Sequence, residues 1–248
     1  MKGNEYREIY YIYMFILIIG LWQMIGMLVH NPIFPPIWDI SINIFENFHK
    51  KLGIHLLWSL RRIVLGILFA VTLGVPLGIF TGYFKKVDLF FSPILYFTYP
   101  VPKIALLPIV MLLFGLGEFT KITMIFFIIL FPIVINVRDE VKNIPKEVFY
   151  PMYSLGANQF QMIKEIILPG ILPAILTSLR LGIGTAISVL FFTENFGTEY
   201  GMGYFIMDAW MRINYISMYS GIIILSLLGL TIFIMIDILE NILCPWKE

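Results

Sequence analysis

The sequence predicts an all-α membrane protein with about six transmembrane helices in one domain, residues 1–248. Apolar residues make up 59% of the chain and charged residues only 13%, whereas soluble domains average about half apolar and a quarter charged. Two runs without any charged residue, 63–84 and 213–236, each exceed the roughly 20 helical residues that cross a bilayer core. Lipid offers backbone groups no partners, so these runs are expected to be helical.

The first predicted span covers residues 9–29. This run of 21 residues is longer than the apolar region of a signal peptide, and no small-residue cleavage site follows it. We therefore expect a retained first helix.

Three central spans are less regular than the others. The runs 104–117 and 122–137 are short, and 171–193 is interrupted by Arg180. Prolines inside such segments favour bent helices that pack around a cavity. Arg180 is expected to reach the cytoplasmic headgroups with its long side chain, although it could instead attract an anionic solute.

Basic residues predict the orientation of the spans. Six spans place both termini on one side, and eleven of the 17 basic residues fall on that side. Because cytoplasmic loops are enriched in Lys and Arg, both termini are predicted to be cytoplasmic. This assignment puts Lys103 at the cytoplasmic side, and Arg62 and Lys121 at the outer side.

The histidines and the cysteine of the sequence predict no metal or disulfide site. Residues 31–59 and 196–216 are expected to be loops, and the histidines have no metal-ligand spacing. These histidines, expected to be solvated, are His30, His49 and His55. The single cysteine, Cys244, excludes an internal disulfide.

The longest polar stretch, residues 138–173, lies between the fourth and fifth spans. Its apolar residues recur at helical spacing on both sides of Gly156, which predicts two short amphipathic helices. Pro169 and Pro173 are expected to end this element and begin the next span. Periodicity alone leaves two interpretations open, a docking surface for a partner and a helix lying on the bilayer.

This stretch resembles the signature of the permeases of binding-protein-dependent ABC importers. That signature is Glu-Ala-Ala, three residues, a glycine, nine residues and Ile-x-Leu-Pro. Here Gly156 precedes nine residues and Ile-Ile-Leu-Pro at 166–169, but the triplet at 150–152 is Tyr-Pro-Met. The resemblance implies a coupling segment docked on a cytoplasmic ATPase, formed by Tyr150, Pro151, Met152, Leu155, Gly156, Ala157, Ile166, Leu168 and Pro169.

The resemblance extends over nearly the whole chain and is nearest to the branch that serves aliphatic sulfonates, taurine and nitrate. Residues 59–95, 99–122 and 193–206 are similar to successive segments of that branch. The resemblance implies the type I importer permease (MetI-like) fold and a non-enzymatic subunit that translocates a small polar or anionic solute. A thiamine-pyrimidine or flavin precursor is an alternative solute. An ion-gradient-driven secondary transporter is less favoured, since no inverted repeat is visible.

The sequence contains no phosphate-binding loop of the Gly-x-x-x-x-Gly-Lys-Ser/Thr kind, so no cofactor is expected on this chain. ATP and Mg are assigned to a partner. The resemblance implies a multi-pass protein of a prokaryotic cell membrane with three partners: a cytoplasmic ABC ATPase dimer, an extracytoplasmic solute-binding protein and a second permease copy. The net charge of +1 gives no reason to expect nucleic acid.

Polar residues late in the fifth span are candidates for the translocation path, because burying them costs energy that function can justify. They are Thr185, Ser188, Thr193, Glu194 and Asn195. Alternatively, Glu194 lies at the outer boundary, solvated or capping a helix. Gly201 and Gly203 are expected to serve a tight turn.

Overall fold

The structure of the protein, a computed structural model, describes residues 2–29 and 31–247. Every regular element within these ranges is helical, which confirms the all-α fold class; His30 lies outside the described residues. The α-helices in chain order are α1 (Lys2–Val29), α2 (Ile37–Asn47), α3 (Gly53–Tyr83), α4 (Lys85–Thr98), α5 (Leu107–Phe114), α6 (Glu118–Asn143), α7 (Tyr150–Ser154), α8 (Gln159–Met162), α9 (Leu168–Thr193), α10 (Met202–Met211) and α11 (Tyr215–Leu243).

Several of these helices are long and apolar enough to cross a membrane. The four candidates among the described residues are Ile37–Tyr83, Glu118–Asn143, Gln159–Thr193 and Tyr215–Leu243. A fifth is the bent pair Lys85–Thr98 and Lys103–Phe114, whose two parts meet at 86°. The apolar part of α1, Ile16–Val29, is shorter than these.

The outer segment 31–59 is mostly helical, so the expectation of a loop there was wrong. The helix α2 continues into α3 through a π-helical turn, Phe48–Leu52. The N–H of Gly53 donates to the carbonyl of Phe48, which is the wider spacing of a π turn. A Cβ at Gly53 would lie 2.9 Å from that carbonyl oxygen, so glycine allows the turn to form. The other outer segment, 196–216, contains α10.

The core of the molecule is α6, which packs between α3 and α9. Glycines of α3 face α6 closely: a Cβ at Gly78 would lie 2.6 Å from Val137, and one at Gly82 would lie 2.6 Å from Val141. Small residues let two helices approach each other in a bilayer, where lipid is as apolar as the side chains. The helix α11 then packs on α9 and α10.

The segment 138–173 contains two short helices, α7 and α8, on either side of Gly156, as its periodicity predicts. As predicted, Pro169 lies in the first turn of the next helix, α9. The preceding element does not end there, however, because one helical stretch runs from Gln159 to Thr193. Proline has no N–H to donate within a helix. The chain accommodates Pro169 through a π-helical turn, Ile163–Ile167, in which the N–H of Leu168 donates to the carbonyl of Ile163.

Candidate functional site

A cavity of about 610 Å³ lies between the break that separates α4 from α5, the middle of α6, and α9. Two of the predicted path residues, Thr185 and Ser188, line it. Asn136 of α6 and Lys103 of the break add further polar groups, and the rest of the wall is largely apolar. The fold therefore gathers polar side chains from three separate segments at one place.

The polar side chains of the cavity differ in their hydrogen bonds. Ser188 donates to the carbonyl of Gly184 at 3.1 Å, the usual bond of a helical serine. The hydroxyl of Thr185 makes no hydrogen bond to any described residue. Asn136 donates its amide to the hydroxyl of Ser178 at 2.9 Å. Thr185 thus has a hydroxyl left available to a solute.

Lys103 holds the break between α4 and α5. Pro100 and Pro102 stop the helix here, and the carbonyls at the end of α4 have no intrahelical donors. The Lys103 ammonium donates to three carbonyls, those of Thr98 at 2.6 Å, Tyr99 at 3.1 Å and Val101 at 2.9 Å. It also lies 4.3 Å from the centre of the Phe131 ring, a distance that suits a cation–π contact.

The ammonium of Lys103 lies level with the middle of α6. Phe131, its neighbour, is 13 residues from the start of α6 and 12 from its end. The assignment of Lys103 to the cytoplasmic side of the membrane stays a prediction. The 86° bend brings this lysine inward, and no hydropathy pattern records such a bend.

A second group of charged side chains lies where the first turns of α3, the start of α6 and the end of α9 meet, on the side that the charge pattern predicts to be the outer one. Arg62 pairs with Glu194 at 2.6 Å and makes two hydrogen bonds to Glu118, at 2.8 and 2.5 Å. Glu194 also accepts hydrogen bonds from Ser59 and from the N–H of Gly203, both at 2.8 Å. We call these five residues the outer charge cluster.

The glycines at 201 and 203 leave the space that the outer charge cluster occupies. A Cβ at Gly201 would lie 2.5 Å from Cδ of Glu194 and 2.6 Å from Nη1 of Arg62. A Cβ at Gly203 would lie 2.5 Å from the carbonyl oxygen of Phe191. At the expected tight turn, the backbone of Gly201 and Gly203 thus lies directly against the buried ion pair of Arg62 and Glu194.

The structure separates the five predicted path residues into two groups. Thr185 and Ser188 line the cavity, whereas Glu194 is 0% exposed and lies within the outer charge cluster. Thr193 is also buried, and its hydroxyl donates to the carbonyl of Leu190 at 3.0 Å. Asn195 is half-buried, with a side-chain oxygen that has no partner among the described residues.

One further expectation for a polar side chain was wrong. His55 is buried rather than solvated, and its Nδ1 lies 3.0 Å from the backbone N of Gly201. Arg180 pairs with Asp237 and Glu240 near the end of α11, and its expected reach to the headgroups stays a prediction. These partners are far away along the chain, so local sequence patterns gave no sign of them. The Arg62 pair with Glu194, separated by 132 residues, was missed for the same reason.

The predicted coupling segment presents a broad apolar surface. Tyr150, Tyr153, Leu155 and Phe160 are between 56% and 82% exposed. Gly156, at φ +72°, reverses the chain between α7 and α8. The side chain of Asn158 then caps α8 through a reciprocal pair of hydrogen bonds with Gln161, a stabilising arrangement known as a capping box.

Comparison with known proteins decides the family. The model of the family described as "Binding-protein-dependent transport system inner membrane component" matches residues 74–243, more than two thirds of the chain. The chain belongs to this family. The permease is therefore a non-enzymatic membrane subunit of an ABC importer, in which ATP is hydrolysed by a separate subunit.

Relatives of the permease carry different solutes in their names. A putative aliphatic sulfonates transport permease protein of Bacillus subtilis is 33% identical over 234 residues, 93% of this chain and 85% of that protein. A formylaminopyrimidine transport permease protein of Halalkalibacterium halodurans is 28% identical over 235 residues, 94% of either chain.

The fold of the permease is also that of a solved importer. An inward-facing structure of the MetNI methionine ABC transporter superposes with a TM-score of 0.61 at 16% identity. The match covers 77% of this chain and 95% of the transporter chain. The predicted MetI-like fold is thereby confirmed.

Proposed function

We propose that the permease translocates a small polar or anionic solute, of the aliphatic sulfonate, taurine or nitrate kind, through the cavity between the α4–α5 break, α6 and α9. The observation that carries this proposal is the set of polar groups around a space of about 610 Å³. Polar side chains at membrane depth are costly and are expected to face a water-filled cavity or other protein groups.

The exposed face of α9 supports a second permease copy across the cavity. Leu181, Gly184, Thr185 and Ser188 are all exposed in the single chain. Their spacing puts them on one side of the helix. Because a hydroxyl gains nothing from lipid, this face is better explained by a partner that completes the path. A homodimer about an axis normal to the membrane fulfils this condition.

The coupling segment supports an ABC ATPase dimer as the cytoplasmic partner. An apolar surface as exposed as that of α7 and α8 indicates contact with another protein. Tyr-Pro-Met at 150–152 stands where the family signature has Glu-Ala-Ala. The contact with the ATPase therefore relies on aromatic rings more than on charge. ATP and Mg would be bound on the ATPase side, and both permease termini would lie in the cytoplasm of a prokaryotic cell.

The continuous helix from Gln159 to Thr193 explains how ATPase movement reaches the solute. Its first turns belong to the coupling segment, and Thr185 lies roughly 40 Å further along at 1.5 Å per residue. ATP-driven closure of the two ATPases would displace this helix as a rigid body and change the access of the cavity. An extracytoplasmic binding protein would deliver the solute to the outward-open state.

Reconstitution tests the proposed function. The permease, its ATPase and its binding protein are placed in proteoliposomes, and uptake of ethanesulfonate, taurine, nitrate and formylaminopyrimidine is measured. The last probe covers the thiamine-pyrimidine alternative, which the name of the 28% identical relative supports. We expect uptake of at least one probe that requires ATP and the binding protein. Uptake driven by an ion gradient without the ATPase would contradict the proposal.

A further inference from the structure

We propose that Lys103 is a specificity-determining residue of the translocation cavity, and that its positive charge favours an anionic solute over an uncharged one. This inference rests on the proposed function, because it assigns a role within the same path. It concerns a residue that belongs neither to the coupling segment nor to the polar face of α9.

The first argument is the charge of the cavity wall. Among the described residues that line the cavity, Lys103 is the single charged one, and no Asp or Glu accompanies it. A solute in this space therefore meets a net positive charge. Low dielectric surroundings strengthen such a charge relative to its effect in water.

The second argument is that Lys103 lacks the carboxylate partner that the other interior cations have. Arg62, Lys121 and Arg180 each lie within 4.0 Å of a carboxylate oxygen. In the described part of the chain no carboxylate oxygen lies that close to the Lys103 ammonium. Ionisable side chains at membrane depth pair with one another or with backbone carbonyls, and they mark solute pathways. Lys103 pairs with carbonyls alone, and it faces a cavity.

The third argument concerns what the carbonyl contacts achieve. An ammonium group has three N–H donors, and three carbonyls accept from Lys103 at 2.6 to 3.1 Å. These carbonyls carry only partial negative charge, so they fix the position of the ammonium and offset its charge in part. An anion in the cavity would feel this charge at a distance and would take hydrogen bonds from other groups, among them the available hydroxyl of Thr185.

A purely structural role of Lys103 is separable from this electrostatic role. If Lys103 only braced the α4–α5 break, a neutral donor could replace part of its function. Lys103→Gln keeps N–H donors and removes the charge, whereas Lys103→Arg keeps both. Lys86→Gln removes an exposed charge from the start of α4 and provides the matched control.

The experiment uses the complete complex in proteoliposomes, with ethanesulfonate and nitrate as anionic probes and formylaminopyrimidine as the uncharged probe. We expect ATP-dependent uptake of at least one anion by the unchanged complex. Lys103→Gln should lower that uptake about tenfold or more, since a nearby unit charge is worth at least one such factor in a cavity. Lys103→Arg should retain most of the uptake, and Lys86→Gln should retain all of it.

A second readout excludes simple damage to the fold. The ATP hydrolysis of the assembled complex, stimulated by its binding protein, should stay near the unchanged level in Lys103→Gln. A parallel loss of hydrolysis and of purified complex would show that Lys103 is a brace and would overturn the inference. Undiminished anion uptake by Lys103→Gln would overturn it as well.

The outcomes distinguish this inference from the proposed function. If the unchanged complex carries formylaminopyrimidine and neither anion, the role of Lys103 is refuted while the proposed importer stands. If the unchanged complex shows no ATP-dependent uptake of any probe, both are refuted.

Discussion

Arg62 connects the ends of three helices, α3, α6 and α9, through its ion pairs. It holds Glu118 of α6 and Glu194 beyond α9, and both its own side chain and that of Glu194 are almost fully buried. Removing one partner of a buried ion pair leaves a charge without compensation, which is more costly than removing both. The outer charge cluster should therefore act as a single cooperative unit.

The first prediction concerns Glu194. Glu194→Gln keeps the size of the side chain and removes its charge. Arg62 then retains only Glu118, which is 40% exposed, so we expect a loss of about 3 kcal/mol in the free energy of unfolding, near the lower end for broken buried pairs. Thermal unfolding of the purified permease in detergent measures this loss. Glu199→Gln, an exposed change in the same outer segment, should shift the unfolding temperature little. Equal shifts in the two variants would contradict the assignment of stability to the cluster.

At the residue scale, motifs with local spacing could be predicted from the sequence, whereas contacts between distant residues could not. Gly156 and the Ile-Ile-Leu-Pro run were recognisable because their spacing is local. Arg62 and Arg180 were placed without their partners because a single sequence does not reveal partners that are distant along the chain. Pro100 and Pro102 directly before Lys103 were the one available sign that this lysine follows a sharp bend.

Among the elements, α7 and α8 depend on the conformation of one residue. Gly156 has φ +72°, a region that costs other residues about 1–2 kcal/mol and β-branched ones more. The turn sets the angle at which the two short helices present Tyr153 and Phe160. A change there should alter docking while the membrane helices remain intact.

The second prediction tests this turn. Gly156→Val should abolish solute-stimulated ATP hydrolysis in the reconstituted complex without lowering membrane insertion, because valine disfavours positive φ. Asn tolerates this region, so Gly156→Asn is the matched control and should retain most of the stimulation. Normal stimulation in Gly156→Val would remove the coupling role from this residue.

Helix boundaries were less predictable than helix existence. The runs 63–84 and 213–236 correspond to parts of α3 and α11. The junction of α2 and α3 was missed because polar residues near His49 and Lys50 suggested a loop, although a π turn carries the helix through them. The span predicted over residues 104–117 contains only the short helix α5, because the chain bends by 86° between α4 and the segment that includes α5.

For the whole molecule, the polar face of α9 predicts how two copies meet. The third prediction uses Ser188→Cys in a Cys244→Ser background. A short bismaleimide should cross-link this variant into a dimer in native membranes, because Ser188 would face the same residue of the second copy across the path. Leu57→Cys, exposed on α3, should stay monomeric under the same conditions. Equal cross-linking at both positions would argue against this interface.

Orientation is the other property at this scale. When the interior residues Arg62, Lys103, Lys121 and Arg180 are removed from the comparison, nine basic residues remain on the side of the termini and four on the other. The charge bias therefore becomes stronger, and the positive-inside rule still favours cytoplasmic termini.

The fourth prediction follows from that bias. A cysteine introduced by Lys146→Cys in the Cys244→Ser background should react with a membrane-impermeant maleimide only after intact cells are permeabilised. Arg212→Cys, an exposed position at the opposite end, should react without permeabilisation. The reverse pattern would place the coupling segment outside the cell and would contradict the proposed contact with an ATPase.

The glycines along α3 have a consequence for how such a transporter can change shape. Where Gly66, Gly74, Gly78 and Gly82 meet α6, an added methyl group would collide with Ile125, Ile133, Val137 or Val141. Sliding one of these helices past the other would drive the same bulky groups into the opposing backbone. We expect α3 and α6 to move together as one rigid unit. The conformational changes of the transport cycle would then be confined to α9 and to the α4–α5 break, which Lys103 stabilises.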